Sequence, residues 1–348
     1  MSSGAAVVGA SPLLAHAGGI ALPGPDEAVA AHYGDFAREQ RALVEGAGVV
    51  DRSNRGVVRI TGDDRLSWLH SLTSQHLTEL ADGTGTEALI LSPHGHIEHH
   101  LQLADLAGTT WADLEPGDAP GVTAFLDSMR FLLRVDVSDE SPAYGQLTVA
   151  GRAQGDVLAA AGVDVGAANW SVSGTPWGGY ARRLPWPDAG AVDLVVPRTE
   201  LAAVWDRLTG AGAVPAGSWA WEALRVAARR PRLGFETDHR TIPHEVGWLE
   251  TAVHLEKGCY RGQETVARVH NLGRPPRRLV LLHLDGSTND LPAPGADVGA
   301  DGVRVGFVTS AARHYELGPI ALALIKRTVP DDAVLLAGDV SASIEAAG

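Results

Sequence analysis

The stretch Leu255-Glu256-Lys257-Gly258-Cys259-Tyr260-Arg261-Gly262-Gln263-Glu264-Thr265-Val266-Ala267-Arg268 sets the reading of the whole chain. It reads as a glycine-flanked turn that feeds a short helix. Gly258 and Gly262 supply backbone freedom that residues with a Cβ resist. The helix is predicted from about Gln263 to Asn271-Leu272, with Gly273 as its C-terminal cap. Cys259 is the only cysteine in 348 residues, and Lys257, Arg261 and Arg268 flank it. Positive charge and the free N–H groups of a helix start favour thiolate over thiol, and a thiolate attacks electrophiles or ligates iron. The plainer alternative is a small buried hydrophobe. Polar, glycine-rich neighbours argue against it, as does the presence of one of only two lysines, Lys257 and Lys326, among 28 cationic residues.

Outward from this segment, composition narrows the classes. A chain of 348 residues with 45% apolar content implies two or three packed units. A net charge of −14 repels polyphosphate, so general nucleic-acid binding is not expected, although Arg229, Arg230, Arg232, Arg274, Arg277 and Arg278 form a local basic cluster. A single cysteine leaves no internal disulfide framework and fits a reducing compartment. Residues 1–25 lack a basic n-region, and no stretch reaches the roughly 18 apolar residues of a spanning helix. The expectation is a cytoplasmic protein with no membrane partner.

Element spacing gives an α+β pattern. Residues 1–30, punctuated by Pro12, Pro23 and Pro25, read as a flexible tail. A helix is expected over His32–Glu45, and a strand over Val57–Ile60. A helix capped by Thr61-Gly62-Asp63 should carry Leu66, Leu69 and Leu72. Residues 86–106 form a hairpin around Ser92-Pro93-His94-Gly95, and Phe125, Met129 and Leu132 mark an amphipathic helix. From Gln146 strands and helices alternate, with strands at Gln146–Ala150, Tyr180–Leu184 and Val192–Val196. The helical face Leu201, Val204, Trp205, Leu208 follows, then a helix over Trp219–Arg229. This unit reads as ferredoxin-like. After Pro275-Pro276, short runs such as Leu279–Leu284 and Arg304–Thr309 read as a small barrel. The expected division is a tail to 30, a first domain over 31–140, a ferredoxin-like one over 141–240, the signature segment over 241–274 and the barrel over 275–348.

The 255–268 stretch resembles the K-G-C-Y-x-G-Q-E motif of YgfZ-type proteins, non-canonical relatives of the glycine-cleavage T-protein. Gly48-Val49-Val50-Asp51-Arg52-Ser53, Ile60-Thr61-Gly62-Asp63, the run Leu224-Arg225 to Pro231, Thr241-Ile242-Pro243-His244-Glu245 and Gly247-Trp248-Leu249 are similar to T-protein signatures. The resemblance implies a three-domain ring with a ferredoxin-like unit and a C-terminal small β-barrel around a tetrahydrofolate site. It implies Cys259 as the functional residue, in support of iron–sulfur enzymes including one that methylthiolates tRNA. Lys257 and Arg268 would keep its thiolate charged, and Tyr260, Gln263 and Glu264 would hold the turn. Trp221 would stack on folate, Arg225 would meet its carboxylates, and Glu245 is a third folate contact. Cofactors implied are tetrahydrofolate and a transient iron–sulfur cluster; partners are folate and cluster proteins or their assembly factors.

Two departures bear on activity. T-proteins carry Gly-Gly-Ile-x-Asp-Asp where this chain has Gly95-His96-Ile97-Glu98-His99-His100, and Ala227 stands where they place a glutamate. Loss of these carboxylates disfavours aminomethyl transfer as the activity, so whether the chain is an enzyme stays open. The same run suggests a different class. In an extended strand His94, His96, Glu98 and His100 share one face, a spacing suited to a metal, though a solvated polar face is the simpler reading.

Overall fold

A computed structural model describes residues 9–287 and 290–345, apart from the Leu272 side chain. Contacts divide the chain into two compact units, one holding residues up to Ala88 with His99–Trp221, the other Leu89–Glu98 with Glu222 onward. The architecture is α+β with a closed C-terminal β-barrel, as the sequence pattern implied.

In the first unit a six-stranded sheet runs in the order Val214–Ala216, Gly48–Asp51, Tyr144–Ala150, Ala191–Pro197, Tyr180–Leu184, Val172–Gly174. Its strand Gly48–Asp51 comes from far upstream and pairs antiparallel to Tyr144–Ala150. Side chains alternate across a strand, and here the two faces differ in kind. Leu147, Val149, Val192, Leu194 and Val196 pack with Leu201, Val204, Trp205 and Leu208 of the helix Leu201–Gly210, whose spacing had marked that face.

The opposite face carries Tyr180 and Val195 in an apolar cluster and, beside them, charges buried as a network. Arg182, fully enclosed, donates to Asp113 and Asp193, both at 2.7 Å, and to the Gln102 carbonyl at 2.8 Å. Arg55 also donates to Asp113, and to Glu115 at 3.1 Å; Arg52 and Thr148 donate to Asp193 at 3.3 and 2.7 Å. Burial alone would raise the Asp113 carboxyl, but Arg55, Arg182 and Arg52 hold it below the usual carboxylate range. Asp113 belongs to the unit's five-strand sheet, in the order Thr84–Leu91, Ile97–Leu106, Thr109–Leu114, Gly56–Thr61, Asp136–Asp139.

Two local expectations are corrected. Residues 1–8 of the expected tail lie outside the described residues, but the remainder is packed. Leu13, in the helix Leu13–Ala17, is 1% exposed in the sheet's core, and Ile20 bridges to His32. The buried Glu39 carboxylate accepts from Tyr33 N at 2.8 Å and Gly217 N at 2.9 Å, tying this segment down. The helix expected to carry Phe125, Met129 and Leu132 spans Ala119–Ser128 and stops short of the last two. Phe131 has φ +47°, which a continuing helix cannot accommodate.

In the second unit the strands Arg277–Leu284, Gly318–Lys326, Val303–His314, Asp297–Ala300, Val334–Ala337 and Val340–Ile344 follow one another around a barrel. Pairing of the last with the first closes it and removes free edges. Among the described residues no helix is long and apolar enough to cross a membrane.

Removing one partner of a buried ion pair strands the others. Arg182→Met is therefore expected to lower the unfolding free energy in urea by about 3–5 kcal/mol. A loss below about 1 kcal/mol would mean that the network contributes little.

Candidate functional site

The signature segment lies in the second unit, between the helices Trp248–Ala252 and Gln263–Leu272. The latter helix ends at the predicted Gly273, whose N–H donates to the Val269 carbonyl. Gly262 starts it in the left-handed region, φ +84°. A Cβ there would come within 2.5 Å of the Ser92 carbonyl oxygen and 2.9 Å of Gly95 Cα. The hairpin turn at Ser92–Gly95 is thus pressed against the helix start, where only glycine fits. Gly258 is different: its φ is not positive and a Cβ would meet nothing within 4 Å, so the freedom expected of it is not used.

Within this loop burial alternates. Lys257 is 5% exposed and Tyr260 is buried, whereas Gly258 and Cys259 face solvent. Tyr260 and Val266 belong to one core with Leu89, Leu91, Ile97, Val246 and Trp248, which anchors the loop on both sides of Gly262. The Lys257 ammonium sits 5.0 Å from the Tyr260 ring centre, a cation–π approach. Burial pushes the Lys257 amine down to about 8 and the Tyr260 hydroxyl up to about 12. Arg261 pairs with Glu98 at 2.8 Å. The Gln263 amide donates to the Lys257 carbonyl at 3.5 Å, a long tether, and Glu264 and Arg268 are exposed on the helix. The structure therefore brings Lys257, Tyr260 and Gln263 together in the loop that carries Cys259, while Arg261 and Glu98 form a separate pair.

The expected folate contacts divide. In the first unit Trp221 is only 4% exposed, with Trp186 at 4.6 Å and the Arg52 guanidinium at 5.2 Å from its ring centre. Trp186 is the less buried member of the pair. Arg225, in the second unit, is buried, and its donors are taken. They go to Glu222 at 2.9 Å, the Arg230 carbonyl at 2.6 Å, Glu236 at 3.0 Å and Ser310 at 2.7 Å. Such a saturated guanidinium is a structural brace, which corrects its assignment as a ligand for folate carboxylates. Glu245 is likewise buried, accepting two Arg277 bonds at 2.8 Å and one from Ile242 N at 3.2 Å. It braces the segment that leads into the barrel.

The histidine run does not gather. Ser92–His96 forms a closed turn with Ser92 N donating to the His96 carbonyl at 2.8 Å, so the strand begins only at Ile97. Glu98 holds Arg261, His99 meets Asp118 at 2.8 Å, and His100 lies 3.6 Å from Glu87. Among the described residues no group of three His, Cys, Asp or Glu is placed to hold a metal ion, so the run is not gathered as the metal-binding alternative expects. The residues missed from sequence are Trp186 and Arg52. The signal for Trp186 was a second tryptophan between two prolines, and Arg52 lay inside the quoted N-terminal signature.

The family model for the GCVT N-terminal domain matches residues 28–257, and that for the glycine cleavage T-protein C-terminal barrel domain matches residues 277–345. The chloroplastic Arabidopsis thaliana protein At1g60990 is 27% identical over 298 residues, 80% of this chain and 66% of that protein. An aminomethyltransferase of Herpetosiphon aurantiacus is 27% identical over 306 residues, covering 84% of this chain and 82% of its own. The crystal structure of aminomethyltransferase T from Bartonella henselae superposes with a TM-score of 0.80 at 20% identity, over 89% of this chain and 88% of that one.

Two tests follow from the loop. Gly262→Ala, strained in φ and in space, is expected to cost about 2 kcal/mol or more, whereas Gly258→Ala stays within about 0.5 kcal/mol; equal costs in denaturant titrations would contradict the packing described. The second uses pH. The unfolded chain keeps its Lys257 proton up to pH 10.5 and the folded chain releases it near 8, so unfolded protein binds more protons between them and stability rises with pH. Tyr260 reverses the trend between pH 10 and about 12, where only the unfolded state has lost its proton. Lys257→Met should flatten the rise between pH 8 and 10; an unaltered slope would place the ammonium in water.

Proposed function

We propose, from the premise that this chain belongs to the glycine-cleavage T-protein family, that it is a YgfZ-type member that binds a reduced folate and supports iron–sulfur proteins through Cys259. The reading is carried by the placement of its one thiol: exposed, on a loop whose flanking residues are buried or fixed. A soft nucleophile presented in this way suits exchange with a protein partner, either as acceptor of an electrophilic sulfur or carbon or as brief ligand to a cluster. Lys257 and Tyr260 hold the loop, Gln263 tethers it, and Glu264 and Arg268 lie open on the following helix for a docking partner. Through cluster enzymes the effect extends to tRNA modification, in the cytoplasm.

For the folate, the fit rests on the aromatic and cationic set at Trp186, Trp221 and Arg52. A flat, part-buried indole suits a pterin or aminobenzoyl ring, and a guanidinium behind it polarises the stack. Trp186 takes the stacking role and Trp221 backs it. When bound, tetrahydrofolate supplies the nitrogens that carry one-carbon units.

The second reading is folate-dependent aminomethyl transfer, favoured by the printed names of relatives such as those of Herpetosiphon aurantiacus and Streptomyces coelicolor. Against it, the two positions of the family's Asp-Asp turn are His99 and His100, each already set against a carboxylate.

In a deletion strain, Cys259→Ser is expected to fold with unchanged circular dichroism yet leave a cluster-dependent enzyme inactive; full rescue would remove the proposal. Calorimetric titration with tetrahydrofolate should saturate below about 1 mM, near −4 kcal/mol or stronger. Trp186→Ala should weaken it by roughly fivefold, consistent with about 1 kcal/mol per lost stack. Glycine-dependent methylene transfer by purified protein, retained in Cys259→Ser, would establish the second reading instead.

A further inference from the structure

The helix Ala119–Ser128 ends before an apolar run that it would otherwise have helped to bury. Phe131, Leu132 and Leu133 stand instead on a loop of the first unit, 80%, 100% and 42% exposed. Phe131 is in the left-handed region, φ +47°, where an aromatic residue is an outlier. Both feet of the loop are fixed. Arg130 pairs with Asp127 at 3.5 Å and Asp136 at 3.4 Å, and Arg134 with Asp63 at 3.0 Å and Asp64 at 3.2 Å. Arg134 N donates to Asp64 at 2.9 Å, and Trp68 Nε1 to the Met129 carbonyl at 3.0 Å. The tip is thus held out on a braced support, and a left-handed turn in its first residue keeps it from folding back.

We propose that Phe131–Leu133 is a docking knob for a protein partner that offers an apolar pocket rimmed by Lys or Arg. Contiguous apolar side chains on a fixed, strained loop mark a contact surface, and aromatic anchors of this kind carry much of an interface's affinity. The surrounding charge selects the partner. Four carboxylates, Asp63, Asp64, Asp127 and Asp136, face two guanidinium groups, a local charge of −2 on a chain of −14. Because both arginines are already paired, the rim acts as acid. It repels phosphate-bearing surfaces, so nucleic acid and anionic bilayers are poor occupants. A two-fold contact with a second copy would set identical acidic rims against each other. A basic-rimmed protein pocket satisfies both the apolar tip and its acidic surround.

The test places a photo-crosslinking amino acid at position 132 of the full chain in cells, identifies the adduct, and purifies the captured protein. The purified partner is then titrated against wild type, Leu132→Ser and Asp136→Lys, at low and high salt. The expected result is a protein adduct whose binding falls by roughly tenfold or more in Leu132→Ser, falls in Asp136→Lys, and weakens with salt. Leu132→Ser should keep the wild-type melting temperature, because the side chain is fully solvated. Three results would overturn the proposal: no adduct above that of a crosslinker at a distant exposed site, an adduct with nucleic acid, lipid or a second copy, or a captured protein that binds Leu132→Ser as well as wild type. Co-sedimentation with vesicles of phosphatidylcholine and phosphatidylglycerol that Leu132→Ser abolishes would also overturn it.

Discussion

The loop that carries Cys259 depends on one backbone contact, the approach of Gly262 to the Ser92–Gly95 turn. A positive φ at Gly262 turns the chain into the helix Gln263–Leu272, and the missing Cβ lets the hairpin close on that turn. Tyr260 and Val266 then drop into a shared core on either side. Val253, upstream, is buried in the same core as Tyr260, and between these two Lys257 goes inward and Cys259 outward. The sulfur's exposure follows from packing that does not involve the sulfur itself.

Much of this was legible in sequence because it is local. The bounds of the helix at Gln263 and Gly273 came from capping chemistry, and the helix at Leu201 from its 3.6-residue spacing. The hairpin turn at Ser92 and the barrel strand at Leu279–Leu284 came from turn residues and apolar runs. What escaped was set by partners distant in the chain. Trp186 and Arg52 come together at Trp221 only through the six-stranded sheet and its neighbours. Arg225 looked like a ligand because nothing local revealed Glu236 and Ser310. Leu13 looked like tail because the groove that buries it is made by residues far downstream. At Met129 the local signal misled outright: the apolar period continues, but the helix does not.

Where the chain departs from aminomethyltransferases, the structure gives the departures a physical meaning. His99 and His100 are not idle substitutes; each is drawn to a carboxylate, Asp118 or Glu87, in the first unit. The buried network around Arg182 sets three guanidinium groups against three carboxylates, so it fixes two sheets against each other without needing a reaction to explain it. That leaves the T-protein fold intact, with the chain's one cysteine exposed in the second unit.

The most direct measurement of the central claim is chemical. Folded protein is alkylated at Cys259 with one equivalent of N-ethylmaleimide, the melting temperature is checked, and the product is added to extract of the deletion strain. The account predicts quick, complete modification, an unchanged melting temperature and no recovery of cluster-enzyme activity, against full recovery with unmodified protein. Recovery by fully alkylated protein would contradict it, since no other thiol exists in the chain to take over.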